Sequence, residues 1–311
     1  MRAVSAITEA VRTVFYGVTL FGMAGTLQVV QLSSFVLSPF STRWVVRINS
    51  HLVGVVWKTM QFIFERVQKG KVTFSGDPIP DHESALVISN HRSWTDFYML
   101  HSVAIRRHML HNCKYFVKDS IKWLPFFGWG MWLAGFLFVK RNWLQDQRKI
   151  QKTFDGIKKL QTPAWIINYV EGSRFTPQKL QECQEFSRGR GWPIMENVLV
   201  PRTKGFVTCV KEFRGSHVEF VYDFTIVYRH RATNAVFNEA PTMIRVHAKS
   251  LDPEYDFHVN VKRFAIKDLP TDDEGLARWL RERYLEKDKF LAKMKSHWTD
   301  GLGEKVWEES F

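Results

Sequence analysis

From Thr13 to Thr42 the chain carries no charged residue, and Val14, Phe15, Tyr16, Val18, Leu20, Phe21, Met23, Leu27, Val29, Val30, Leu32, Phe35, Val36 and Leu37 fill the stretch. An uncharged apolar run longer than about 18 residues is the pattern of a segment that enters a membrane. As a helix it would extend about 45 Å, against about 30 Å of hydrocarbon. Both a tilted span and a bent segment lying partly in one leaflet fit that length. A cleaved leader fits less well, because its apolar region is about 7–15 residues and ends in a small-residue cleavage site. A second apolar stretch, Ile48 to Phe64, is interrupted by His51 and Lys58, which predicts an amphipathic companion helix. Arg43, Arg47, Arg66, Lys69 and Lys71 lie beside the two stretches, as expected of segments resting against anionic headgroups.

Beyond Gly70 short apolar runs alternate with helical stretches. Ala85–Ser89, Phe136–Val139, Ala164–Val170, Val218–Tyr228 and Met243–Ala248 read as strands, with Pro163 and Pro201 in loops or strand entries. That alternation predicts an α/β domain with a largely buried sheet. From Asp272 the chain is rich in Asp, Glu, Lys, Arg and Leu, the pattern of one or two amphipathic helices. The expected organisation is an N-terminal membrane-embedded helical segment over residues 1–70, an α/β domain over 71–267 and a C-terminal helical region over 268–311.

Composition narrows the classes. Hydrophobic residues make up 45% of the 311 and charged residues 24%, which excludes a disordered or low-complexity chain. Cys113, Cys183 and Cys209 form no C-x-x-C pair, so neither a disulfide framework nor a thiolate zinc site is expected. The net charge of +13 favours an anionic partner. Nucleic acid is not expected, because no basic-aromatic module, zinc finger or P-loop is present. No His, Asp and Glu cluster has ligand spacing, so neither a metal nor a cofactor is expected.

The first candidate chemistry follows the first predicted strand, at Asn90-His91-Arg92-Ser93-Trp94-Thr95-Asp96. A histidine with a carboxylate in reach is the minimal general base, since the carboxylate fixes the tautomer and stabilises the imidazolium. On one continuous helix the two side chains would point about 140° apart. They meet if His91 lies in the strand-to-helix turn and Ser93 caps a helix whose first turn holds Asp96, and Ser93-x-x-Asp96 is itself a capping-box pattern. Asp96 as a plain helix cap fits the same residues. A second match, His247-x4-Asp252, has its histidine inside a predicted strand and reads as structural.

Three further motifs follow in order. Gly135 to Arg141 ends an apolar strand in Lys140 and Arg141; Glu171-Gly172-Ser173-Arg174 follows the next strand; Pro201-Arg202-Thr203-Lys204-Gly205-Phe206 follows a basic loop, Arg188 to Gly191. Strand ends of a parallel sheet gather on one edge, where such folds bind ligands. His91, Arg141 and Arg174 would converge there, although a surface ion pair between Glu171 and Arg174 is the plainer alternative.

In that order the four motifs resemble those of the glycerolipid acyltransferases of the 1-acylglycerol-3-phosphate acyltransferase type, and Lys118 to Gly128 resembles the lead-in of that family. Ser173 stands where threonine is commoner, which keeps a hydroxyl. The resemblance implies that His91, oriented by Asp96, deprotonates the free hydroxyl of a lysophospholipid, which attacks the thioester of acyl-CoA or an acyl carrier protein without an acyl-enzyme. It also implies that Arg141 and Arg174 hold the acceptor phosphate, that Glu171 orients one of these cations or the acceptor with Gly172 also at the substrate site, and that Pro201 shapes the loop beside the acyl chain. Lys140, Arg202 and Lys204 are further phosphate contacts, and N–H groups at the start of the Ser93-capped helix are candidates for the oxyanion. A phospholipid transacylase of the tafazzin type, an acceptor with a larger headgroup, glycerol 3-phosphate as acceptor and a membrane-anchored anion-binding protein stay open. So do endoplasmic reticulum and bacterial inner membrane, with the catalytic domain expected on the cytoplasmic side, and the oligomeric state.

Overall fold

A computed structural model describes residues 2–140, 143–231, 237–296 and 298. Arg141 therefore lies outside the described residues, as does the chain beyond Trp298. The uncharged run is not one helix. It begins inside α1 (Arg2–Ser33), tightens into a 3-10 turn at Ser34–Leu37, and ends at α2 (Thr42–Phe62). Pro39 supplies no N–H to continue a helix, and Ser41 caps α2 by accepting the Trp44 N–H.

The remaining elements are β1 (Val72–Gly76), β2 (Ala85–Ser89), α3 (Asp96–Arg106), β3 (Cys113–Lys118), α4 (Phe127–Leu133), β4 (Leu137–Val139), α5 (Trp143–Leu160), β5 (Trp165–Asn168), α6 (Pro177–Arg188), α7 (Thr203–Phe213), β6 (Phe220–His230), α8 (Met243–Ala248), β7 (Tyr255–Ala265) and α9 (Asp273–Ser296). The strands form a seven-stranded mixed sheet in the order β1-β7-β6-β2-β5-β3-β4. β6, β2, β5, β3 and β4 run parallel; β7 is antiparallel to β6 and carries β1 alongside it. The carboxyl ends of the five parallel strands thus share one edge of the sheet.

Strand periodicity divides the core in two. Ala85, Val87, Trp165, Ile167, Tyr222 and Phe224 face a core shared with α2 and α3, while Leu86, Ile88, Ile166 and Val221 face one shared with α5, α7 and α9. Phe64, just after α2, stacks on Tyr98 of α3 at 4.7 Å, which ties the N-terminal helices to the sheet. α9 turns Leu276, Leu280, Tyr284, Leu291 and Met294 inward.

α1 buries only a stripe, Leu20, Ala24, Gln28 and Gln31. Its outer face leaves Val14, Val18 and Val29 more than 60% exposed, and the helix is long and apolar enough to cross a membrane. One predicted strand is wrong. Met243–Ala248 is helix α8, because Thr242 accepts the Arg245 N–H at 3.1 Å and caps a turn that buries Val246, His247 and Ala248 while Ile244 stays outside. A six-residue apolar run has no periodicity long enough to separate the two forms.

Candidate active site

β2 ends at Ser89, and the Asn90 side chain extends its ladder to β6, donating to Ile226 O at 2.9 Å and accepting the Ile226 N–H at 2.8 Å. The chain then leaves the sheet at His91. Its backbone is held on both sides by the loop after β5: the His91 N–H donates to Glu171 Oε1 at 3.2 Å, and the His91 carbonyl accepts the Phe175 N–H at 2.8 Å. The imidazole lies flat on Tyr169, with ring centroids 4.2 Å apart. Its Nδ1 is 2.7 Å from Asp96 Oδ2. The other nitrogen, Nε2, carries no hydrogen bond among the described residues, and the side chain is 21% exposed.

Asp96 is fully buried and uses both oxygens. Oδ2 also accepts the N–H groups of Arg92 at 2.6 Å and Ser93 at 3.0 Å, and Oδ1 accepts the Tyr228 hydroxyl at 2.7 Å. These bonds curl residues 91–96 around the carboxylate, which is how a five-residue spacing brings the pair together. Capping therefore runs opposite to the expectation. Ser93 is not the cap of α3, whose N-cap is Thr95; Asp96, as first helical residue, reaches back to the turn. The N–H groups of Arg92, Ser93 and Thr95 are consequently spent on Asp96 and Ser93 and are closed to an oxyanion.

Glu171 is 4% exposed and so is not a surface partner of Arg174, and among the described residues its Oε2 has no hydrogen-bond partner. Burial pushes its carboxyl up to about 8, opposed by the His91 N–H and by the charges of Lys287 and Arg92. Lys287, on α9, is the cation behind it: buried, it donates to Asp223 Oδ1 at 2.5 Å, Phe224 O at 2.6 Å and Thr225 Oγ1 at 3.2 Å. Gly172 sits at φ +71°, and a Cβ there would come within 2.7 Å of the Arg202 side chain. Arg202 also donates its N–H to Val170 O at 2.7 Å, so the Pro201 block closes onto the Glu171 turn.

Pro201 is buried, whereas Arg174, Arg202 and Lys204 present exposed cations. Lys140 directly follows β4, which lies three strand spacings or about 14 Å from β2. Its N–H donates to Asp146 and its side chain is exposed. His91, Asp96, Glu171, Gly172 and Arg202 are thus brought together; Lys140 stands apart at the sheet margin. Tyr169, Tyr228, Asn90 and Lys287 went unread in the sequence, where the first two look like ordinary strand residues and Lys287 like one more charge on a solvated helix. Among the described residues no group of three or more His, Cys, Asp or Glu could hold a metal ion.

The model of the acyltransferase family matches residues 71–229, and that of an acyltransferase C-terminus matches residues 253–301. The probable 1-acyl-sn-glycerol-3-phosphate acyltransferase 5 of Arabidopsis thaliana is 33% identical over 84% of this chain and 66% of its own length. The 1-acyl-sn-glycerol-3-phosphate acyltransferase 3 of the same plant is 32% identical over 88% of this chain and 72% of its own. The human 1-acyl-sn-glycerol-3-phosphate acyltransferase gamma is 29% identical over 83% and 67%. The chain spans about two thirds of the length of these curated relatives.

Proposed function

The chain belongs to the acyltransferase family, and on that premise we propose that it moves a fatty acyl chain from acyl-CoA or an acyl carrier protein to the free hydroxyl of a lysophospholipid. The relatives' names favour 1-acyl-sn-glycerol 3-phosphate as acceptor and phosphatidic acid as product. The observation that carries the reading is the 2.7 Å contact of His91 Nδ1 with a fully buried Asp96, which leaves Nε2 open toward a substrate.

In this mechanism Nε2 takes the proton of the acceptor hydroxyl as its oxygen attacks the thioester carbonyl. The tetrahedral adduct collapses with cleavage of the C–S bond, and the thiolate recovers the proton from the imidazolium. Asp96 fixes Nδ1–H and offsets the positive charge while it exists. Glu171 holds the His91 backbone, and Tyr169 fixes the ring plane. Arg174 and Arg202, with Lys204, bind phosphate on the acceptor side, where a guanidinium fork matches phosphate oxygens. Lys140, remote from the reacting hydroxyl, suits a phosphate of the donor. The apolar outer face of α1 holds the edge of the sheet at a membrane, the source of the acceptor.

The test is acyl transfer from radiolabelled oleoyl-CoA by detergent-purified protein to lysophosphatidic acid, other lysophospholipids and glycerol 3-phosphate, beside His91→Ala. Transfer to an acceptor that vanishes in the variant supports the reading. No transfer with either thioester donor, or equal transfer by the variant, overturns it, and transfer from a phospholipid alone assigns a transacylase.

A further inference from the structure

Between β3 and β4 lies a segment, Trp123 to Trp132, that the reaction does not use. Its large side chains point into solvent: Trp123 is 73% exposed, Trp132 64%, Trp129 55% and Phe126 45%. Exposed tryptophans clustered over one turn and a short helix are costly to keep in water unless something covers them.

The backbone that carries them is fixed. A Cβ on Gly128 would lie 2.4 Å from the carbonyl oxygens of Ile121 and Lys122, so the turn is packed against α4 without slack. Phe126 adopts φ +61°, a left-handed conformation that a phenylalanine holds only when its surroundings impose it. α1 packs beside it: a Cβ added at Gly25 would lie 3.5 Å from the Phe126 ring, Phe127 packs edge-on against Phe21 with centroids 5.1 Å apart, and Gln31 reaches the Gly130 carbonyl. Phe21 and Phe126, each a little under half exposed, join the outer face of α1 to this patch without a polar break. Farther back along α1, Tyr16 lies against His247 of α8 with centroids 6.2 Å apart. The helix therefore rests lengthwise on the domain over the roughly 22 Å from Tyr16 to Gln31.

Charge identifies the occupant. Lys122 Nζ sits 5.3 Å from the Trp123 ring centroid, Lys118 is exposed, and Arg43 and Arg47 flank the exposed Trp44 at the start of α2. Asp119 is the single carboxylate between Lys118 and Arg141, and Lys122 neutralises it at 2.7 Å. Amphipathic indoles rimmed by cations are what the headgroup layer of an anionic leaflet accommodates.

We propose that Trp123–Trp132 is a second membrane-docking element, which seats Trp123, Trp129 and Trp132 in the headgroup layer of an anionic leaflet beside the outer face of α1. It rests on the reading that the protein works at a membrane, but not on the reaction assigned to it. Seating α4 at this level sets the depth and tilt of the sheet edge that carries His91, which α1 alone, a rod with freedom to roll about its axis, leaves undetermined.

The experiment is tryptophan quenching by brominated lipid in vesicles of equal parts phosphatidylcholine and phosphatidylglycerol, using the full chain and Trp123→Phe/Trp129→Phe/Trp132→Phe. The expected result is that the triple variant loses most of the bromolipid-quenched emission while still binding the vesicles. A quenched component unchanged in the variant overturns the proposal. A second variant, Trp123→Ser/Trp129→Ser/Trp132→Ser, should keep its activity on substrate in mixed micelles and lose about tenfold on substrate in vesicles. Equal loss in both overturns the proposal, as does a dimer that the serine variant dissociates while quenching is unaffected, which assigns the patch to a second copy. Quenching reads lipid contact and not turnover, so a protein that docks yet transfers no acyl group refutes the reaction and leaves the docking element standing.

Discussion

Asp96→Asn separates a catalytic carboxylate from a structural one. The isosteric amide can put its oxygen where Oδ2 stands, still accepting from His91 Nδ1, the Arg92 N–H and the Ser93 N–H, and turn its NH2 toward the Tyr228 hydroxyl. The turn survives at the cost of about 1 kcal/mol for reorienting one hydroxyl. What disappears is the negative charge beside the imidazolium. Two unit charges about 4 Å apart interact by about 4 kcal/mol at an effective dielectric constant of about 20, and the amide dipole keeps a fraction of that. A loss of about 3–4 kcal/mol in transition-state stabilisation lowers kcat by about 10²- to 10³-fold. The assay is initial-rate acyl transfer at saturating donor and acceptor, with thermal unfolding of the variant recorded beside it. The reasoning fails if the folded variant keeps kcat within about threefold of the parent, because asparagine is as good as aspartate in a purely capping role.

Two further outcomes follow from buried charge. Glu171 has its folded pKa raised to about 8 from 4.5, so the stability tied to its neutral form is complete below about pH 4.5 and lost as pH rises to about 8. Glu171→Gln keeps an oxygen for the His91 N–H and cannot ionise, so its unfolding free energy should match the parent at pH 4.5 and exceed it by up to about 5 kcal/mol at pH 9; a variant less stable than the parent at pH 9 refutes the assignment. Lys287→Met leaves Asp223 buried and unpaired and should lower stability by about 3–5 kcal/mol, partly restored by adding Asp223→Asn, as read by chemical denaturation in detergent.

Legibility followed locality. His91 and Asp96 were readable because both lie in one turn after a strand whose every residue is buried. The same nearness misled in detail, since Ser93 and Asp96 in a capping-box frame allow either side chain to do the capping, and the geometry that won aims Asp96 backward into the turn. β7 escaped notice because its inward positions include His258 and Asn260, polar residues that the buried Ser75 of β1 partners. The tightening at Gly172 is invisible without Arg202, which arrives from thirty positions downstream. Tyr228 is farther off still, and its role exists only because β6 lies next to β2 and sets its hydroxyl 2.7 Å from Asp96 Oδ1.

That adjacency also explains why the C-terminal helix belongs to the chemistry. The two strands that define the site, β2 leading to His91 and β6 carrying Tyr228, are joined by the Asn90 side chain at their shared edge. α9 secures the same pair from the face away from α3: Tyr284 donates to Ser89 O on β2 at 2.9 Å, and Lys287 donates to the Phe224 carbonyl and Thr225 hydroxyl on β6. One helical turn thus grips both strands within two residues of His91 and of Ile226, to which Asn90 is bonded. The grip is electrostatic as well as mechanical, since Lys287 is among the few charges that oppose the burial of Glu171, whose Oε1 holds the His91 N–H. A surface helix with leucines on one face would have been satisfied by a solvated lysine at this position; a lysine placed at full burial against three acceptors makes α9 part of the frame that aims the imidazole.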